Sequence, residues 1–169
     1  EGVGGGNTDE AKAIEMAKRA KALGMKVLVD FHYSDFWVDP GQQKKPDAWK
    51  NDSGDKLVDD VYAYTAKVMQ DFNAQGVTPD MVQVGNELNN GMLWPEAQLT
   101  EDNPNGYKFL AKLLNAGLQA VHDNDKDNKV KTMIHLAGVD VNLYHTFFDN
   151  LIVKNKVNDF DIIGMSFYP

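Results

Sequence analysis

Chemistry in this chain collects where apolar runs stop. MVQVG (81–85) is followed at once by Asn86 and Glu87. If that run is a buried strand, the Glu87 carboxyl group stands at the mouth of a sheet. Partial desolvation there favours a protonated carboxyl, which can give its proton to a leaving oxygen and later take one from water. Asn86 beside it can hydrogen-bond a substrate hydroxyl. Taken alone, the pair reads as a polar strand end that caps the next loop, so its surroundings must decide.

Those surroundings repeat the same placement. His32 to Trp37 follow KVLVDF (26–31), His135 to Asn142 follow VKTMIHL (130–136), and Ser166 to Tyr168 close DIIGMSFY (161–168). Asn86 to Trp94 form the corresponding cluster after MVQVG. His32 and His135 with nearby aspartates could suggest a metal, but no HExxH-like local spacing occurs. His122 and His145 fall on helical segments. No metal and no cofactor is expected.

The elements that must position these residues alternate strictly. Residues 8–23 read as a helix, with Ala13, Ile14, Ala17, Ala20 and Leu23 at helical spacing, Asn7 or Thr8 as cap, and Gly24 as stop. Residues 55–75 form a second helix on Leu57, Val61, Tyr64, Val68 and Phe72. Residues 106–123 form a third on Tyr107, Leu110, Leu114, Leu118 and Val121. A shorter one, 142–154, is built on Tyr144, Phe147, Phe148 and Leu151. Four short β-branched runs lie between and after them, at 26–31, 81–85, 130–136 and 161–168. Helix and buried strand in strict alternation mean an α/β fold with a parallel sheet.

Two parallel architectures compete. A doubly wound sheet puts a Gly-rich phosphate turn after its first strand. GVGGG (2–6) follows no strand and reads as a loop. A (β/α)8 barrel puts its chemistry on long loops after the strands, which is the arrangement found here at 32–54 and 86–104. Four strands make about half a barrel. Open sheet edges and an apolar interior face would then favour aggregation or dimerisation of an isolated chain.

Bulk properties narrow the function classes. The formal net charge is −8, which disfavours nucleic acid and is indifferent to a neutral polymer. No apolar run approaches the roughly 18 residues of a membrane span. The chain contains no cysteine, which excludes thiol nucleophiles and disulfides. It begins at Glu1 and carries no signal-like segment, as a processed protein or an excised piece would.

DFHYSDFWVDPGQQKKPDAW (30–49), VQVGNELNNGMLWPE (82–96), IHLAG (134–138) and DFDIIGMSFYP (159–169) resemble successive motifs of glycoside hydrolase family 53, the endo-β-1,4-galactanases. AKAIEMAKRAKALGMKVLVDFHYSDFW (11–37) resembles the family as one continuous block. The resemblance implies a (β/α)8-barrel catalytic domain, of which residues 1–169 supply roughly strands three to six. It implies retaining endo-hydrolysis of β-1,4-galactosidic bonds in the (arabino)galactan side chains of pectin. The protein would be secreted and its partner the polysaccharide, with no nucleic acid and no membrane. Asn86 and Glu87 match the family's Asn-Glu motif, which makes Glu87 the acid/base.

The family's nucleophile belongs to a seventh strand, and the other glutamates here do not replace it. Glu10 and Glu15 lie on a helix, Glu96 and Glu101 well into a loop, and Glu1 at the start. The chain by itself is therefore expected to lack activity. The remaining expected substrate-binding residues are His32, Tyr33, Asp35, Trp37, Trp94, His135, Asp140, Asn142 and Tyr168. His32, Tyr33 and Asp35 can bond sugar hydroxyls, and the Trp37 and Trp94 indoles can stack on a pyranose. Against this, His32 and Asp35 could only orient the site, Trp37 could plug the barrel rim, Trp94 could anchor its loop, and His135 could be a satisfied strand end. Two other readings stay open, another barrel glycanase of the same clan (mannanase or glucanase) and a truncated, non-catalytic carbohydrate-binding fragment.

Overall fold

A computed structural model describes residues 8–168. Its elements run α1 (Glu10–Ala22), β1 (Leu28–Phe31), α2 (Gly54–Ala74), β2 (Met81–Val84), β3 (Gly91–Met92), β4 (Ala97–Gln98), α3 (Gly106–Asp123), β5 (Lys131–Ala137), α4 (Val141–Phe148) and β6 (Ile162–Ser166). The alternation expected from the periodicities is present.

Strands β1, β2, β5 and β6 form one parallel sheet in the order β1-β2-β5-β6. Sequential strands are spatial neighbours, as a winding barrel wall requires. Helices α2 and α3 pack against one face. Leu57, Val61, Met69 and Phe72 of α2 are buried with Leu110, Leu114, Leu118 and Val121 of α3, over Val82, Val84 and Ile134 of the sheet. Each such side chain contributes about 1.5–3 kcal/mol of burial.

The other face of the sheet is polar near the strand ends. Side chains alternate along a strand, and the register pairs Asp30 with Gln83, Gln83 with Met133, and His135 with Gly164. So Asp30, Gln83 and His135 share the face opposite the helices.

Local departures have local causes. Asp9 caps α1, its carboxylate accepting from the Lys12 N–H at 2.9 Å; Asn7 lies outside the described residues. Leu23, assigned inward by its spacing, is 79% exposed because α1 sits at the sheet's outer edge beside β1. Tyr64 is likewise partly exposed, although its ring meets Phe31, Tyr33 and Trp49 edge-on. The loop after β2 holds a small antiparallel pair, β3 with β4. Helix α4 continues through Asp149–Lys154 as a π-helical turn. Among the described residues no helix is long and apolar enough to cross a membrane.

Candidate active site

The turn after β2 carries the central residue. Gly85 adopts φ +81° and Glu87 φ +49°, so two of three successive residues take left-handed backbone conformations. Gly85 reaches that region without penalty. Glu87 pays on the order of 1 kcal/mol for a left-handed conformation without a glycine. Such strain persists only where surrounding bonds hold it. Here the buried Gln43 shares its side-chain amide between the carbonyls of Asn86 at 2.8 Å, Glu87 at 3.3 Å and Asp39 at 3.2 Å. Asn89 clips the same turn to the end of β5, donating to the Ala137 carbonyl at 2.9 Å and accepting its N–H at 2.8 Å.

The carboxyl group held this way meets a hydroxyl, and that hydroxyl meets an imidazole. Ser166 Oγ, at the end of β6, lies 2.6 Å from Glu87 Oε1 and 2.9 Å from His135 Nε2. His135 Nδ1 lies 2.9 Å from Asn86 Oδ1 and 3.2 Å from the Glu87 backbone nitrogen. Gly164, opposite His135 in the register, makes room for the ring. A Cβ there would stand 3.1 Å from His135 Cδ2 and 2.6 Å from Met133 Sδ. Burial pushes the imidazole below the ordinary histidine value and His32 adds to this, against the pull of Asp30 and Glu87. A neutral ring at neutral pH has one donor and one acceptor nitrogen.

The chain of bonds runs on across the sheet. Gln83 Nε2 donates to Asp30 Oδ1 at 2.6 Å and to Asn86 Oδ1 at 3.1 Å. Asp30 Oδ2 meets His32 Nε2 at 3.0 Å, and His32 Nδ1 accepts the Val38 N–H at 3.0 Å. Asn86 Nδ2 donates to the Val38 carbonyl at 2.9 Å. The expected substrate contact of Asn86 therefore has at most its second amide hydrogen to use.

Of the residues expected at the site, Asn86, Glu87, His135 and His32 come together in this network. Tyr33 does not, and that expectation is corrected. Its side chain is buried on the helix side, stacked on Phe31 at 5.4 Å, with its hydroxyl 2.7 Å from Thr65 Oγ1 of α2. Burial pushes that phenol well above the usual tyrosine range, so it stays neutral. Tyr33 lies past the end of β1 in a left-handed conformation at φ +51°, with its ring over Phe31 on the helix side.

The other expected residues lie around the rim. Asp35 accepts the Asp47 N–H at 2.7 Å and so braces its own loop. Trp37 is 54% exposed and leans on Phe36. Trp94 donates from Nε1 to the Asn90 carbonyl at 2.9 Å, and its backbone N–H bonds Gln43. Asp140 caps α4, accepting from the N–H groups of Asn142 and Leu143, and both Asp140 and Asn142 are exposed. Tyr168 is exposed just past β6. Glu96 is tied to Lys45 at 2.8 Å in its loop. Among the described residues no three His, Asp or Glu side chains form a group that could hold a metal ion.

Four participants were not singled out from sequence: Asp30, Gln83, Gln43 and Ser166. The signal for the first two is a polar side chain interrupting a buried apolar strand. Gln43 gives no such signal, and Ser166 entered only as the first residue of the strand-end cluster 166–168.

Comparison with known proteins bears on the chain as a whole. The model of glycosyl hydrolase family 53 matches residues 1–169. The endo-beta-1,4-galactanase of Bacillus subtilis (strain 168) is 40% identical over 168 residues, covering 99% of this chain and 36% of that protein. A probable arabinogalactan endo-beta-1,4-galactanase A of Neosartorya fischeri is 38% identical over 160 residues, covering 92% of this chain and 44% of that one. The Ignisphaera aggregans GH53 catalytic domain superposes with a TM-score of 0.88 at 43% identity, over 98% of this chain and 44% of its own. One of two fungal beta-1,4-galactanases gives the same TM-score at 34% identity, over 97% of this chain and 48% of its own. The chain thus spans less than half the length of these relatives, and its sheet and helices are part of a (β/α)8 barrel. It belongs to glycosyl hydrolase family 53.

Proposed function

We propose that this chain carries the acid/base half of a retaining, endo-acting β-1,4-galactanase. The observation behind this reading is the placement of Glu87. It ends a buried parallel strand in a strained turn, with its carboxyl group on the polar face of the sheet against Ser166. Relatives named endo-beta-1,4-galactanases supply the substrate class.

In the first step Glu87 gives its proton to the glycosidic oxygen as the bond to the anomeric carbon breaks. A second carboxylate, roughly 5–5.5 Å away in a retaining site, takes the anomeric carbon. In the second step Glu87 removes a proton from water, which releases the sugar with its configuration retained. Trp37, exposed on the rim, offers a flat apolar face to a galactosyl ring. His32, Asp35, Trp94, His135, Asp140, Asn142 and Tyr168 border the cleft or brace its loops; Tyr33 takes no part. An extended polysaccharide cannot cross a bilayer, so the enzyme works outside the cell. The acidic balance disfavours nucleic acid as a partner.

Reducing-end release from β-1,4-galactan, with mannan and β-glucan as controls, tests this reading in the full-length protein as its gene encodes it. Galactan-selective release that disappears in Glu87→Gln supports it. Equal release from mannan or glucan, or a fully active Glu87→Gln variant, overturns it.

A further inference from the structure

A glutamine is buried where the loops after β1 and β2 meet. Gln43 is 2% exposed, and a primary amide taken out of water needs partners for its hydrogens. The acceptors within reach are all backbone carbonyls, of Asn86 at 2.8 Å, Asp39 at 3.2 Å and Glu87 at 3.3 Å. A carbonyl can only accept, so the amide nitrogen and not its oxygen faces them. One hydrogen serves Asn86, and the other is shared by Asp39 and Glu87. Asp39 belongs to the glutamine's own loop, whereas Asn86 and Glu87 belong to the left-handed turn after β2. The side chain therefore staples one loop to the other at Glu87.

The loop that delivers Gln43 is itself held on both sides. Asp39 and Gln42 exchange backbone hydrogen bonds at 3.1 Å around Pro40 and Gly41, and the Asp39 carboxylate accepts the Gly41 N–H. Past the glutamine, Lys45 Nζ donates to Glu96 at 2.8 Å and to the Asp52 carbonyl at 2.9 Å. Between these anchors the Gln43 carbonyl accepts the Trp94 N–H at 2.8 Å. Asn90 Nδ2 closes the same seam on the Pro40 carbonyl at 2.8 Å. A firmly seated main chain lets the Gln43 amide act as a fixed point rather than a mobile one.

Backbone strain gives that fixed point its use. Glu87 stands at φ +49°, and relaxation toward an ordinary backbone conformation would swing its carboxyl group. Ser166 meets the carboxyl group, whereas Gln43 holds the main chain that aims it. We infer that Gln43 is a positioning residue for proton transfer, keeping the Glu87 carboxyl group in its working place through the carbonyls of Asn86 and Glu87. The inference rests on Glu87 being the acid/base.

The test compares Gln43→Met and Glu87→Gln in the full-length protein. Methionine keeps the length of the side chain and puts a methyl group where the amide nitrogen stood. A misplaced acid/base predicts a roughly tenfold to hundredfold fall in kcat on galactan for Gln43→Met, with KM within about threefold. On a 2,4-dinitrophenyl β-galactobioside, whose leaving group needs no proton, kcat/KM should stay within about threefold. Azide, which attacks without a general base, should accelerate turnover of that substrate by Gln43→Met and not by the unmodified protein. Equal falls in kcat/KM on both substrates without an azide effect would make Gln43 a packing residue and overturn the inference. If Glu87→Gln keeps its galactan activity, the acid/base reading itself fails. If Glu87→Gln is inactive while Gln43→Met is unimpaired, only the role of Gln43 fails.

Should Gln43→Met not fold, Gln43→Asn, which retracts the amide by one carbon, takes the same assays with the same expected results. Hydrogen exchange of the Gln43 side-chain amide in the unmodified protein is independent of any variant. Exchange well below that of exposed glutamines is expected, and exchange as fast as theirs overturns the staple.

Discussion

The two ends of the sheet use carboxylates in opposite ways. At the N-terminal end, aspartates just ahead of β2 and β6 lock neighbouring strands together through cations and strand N–H groups. Asp80 takes Lys21 and the Val27 N–H on Oδ2 and Lys26 on Oδ1. Asp161 takes Lys131 on one oxygen and the Thr132 N–H on the other. At the C-terminal end, Glu87 and Asp30 meet Ser166, Gln83 and His32 rather than a lysine or arginine. A carboxylate surrounded by donors and cations is held ionised and serves as a clamp. One that meets a hydroxyl able to donate or accept can exchange a proton. The division matches the barrel rule that stability sits below and chemistry above.

The largest expected effect lies above. Glu87→Gln should lower kcat on galactan by on the order of a hundredfold to ten-thousandfold. Its melting temperature should stay within a few degrees of the unmodified protein, because no clamp is lost. A large fall in stability would make Glu87 a structural residue like Asp80 and dissolve the contrast.

Below, Asp80→Asn should cost about 1–3 kcal/mol in denaturant unfolding, with activity kept at permissive temperature. Burial opposes ionisation of Asp80, but Lys21, the Val27 N–H and Lys26 outweigh it and hold the carboxyl well below the usual carboxylate range. Its contribution to stability is therefore present above the ordinary aspartate value and is lost as pH falls through the depressed one. Acid unfolding curves of the unmodified chain should show that loss, and Asp80→Asn should lack its share. Identical acid limbs for the two chains would sink the clamp.

Two smaller effects separate the rim from the helix layer. Trp37→Ala should raise KM for galactan roughly threefold to tenfold without touching stability, as an exposed stacking face would. Unchanged KM would return Trp37 to a role in the loop. Tyr33→Phe should do the reverse, costing about 1 kcal/mol for the lost bond to Thr65 and leaving KM unchanged. A shifted KM would put Tyr33 back on the cleft.

Much of the lower, structural half was legible in the sequence, because helices and buried strands announce themselves by period. The parallel order, the burial of α3 and the position of Glu87 at a strand end all follow from that. What could not be read depends on two strands meeting in register. Asp30 and Gln83 become partners only when β1 and β2 align, and Ser166 reaches Glu87 only across β5. Strand period could not place Tyr33, because it stands past the end of β1 in a left-handed conformation at φ +51°. The pair β3–β4 is only two residues deep on each side and leaves no periodic signal.

The most direct test of the site is azide rescue of a Glu87→Ala variant on an activated aryl β-galactobioside. If Glu87 is the acid/base, aryl-group release survives, the glycosyl-enzyme accumulates, and azide accelerates turnover to give a β-configured galactosyl azide. An α-configured azide would make Glu87 the nucleophile, and full activity without azide would remove it from the chemistry.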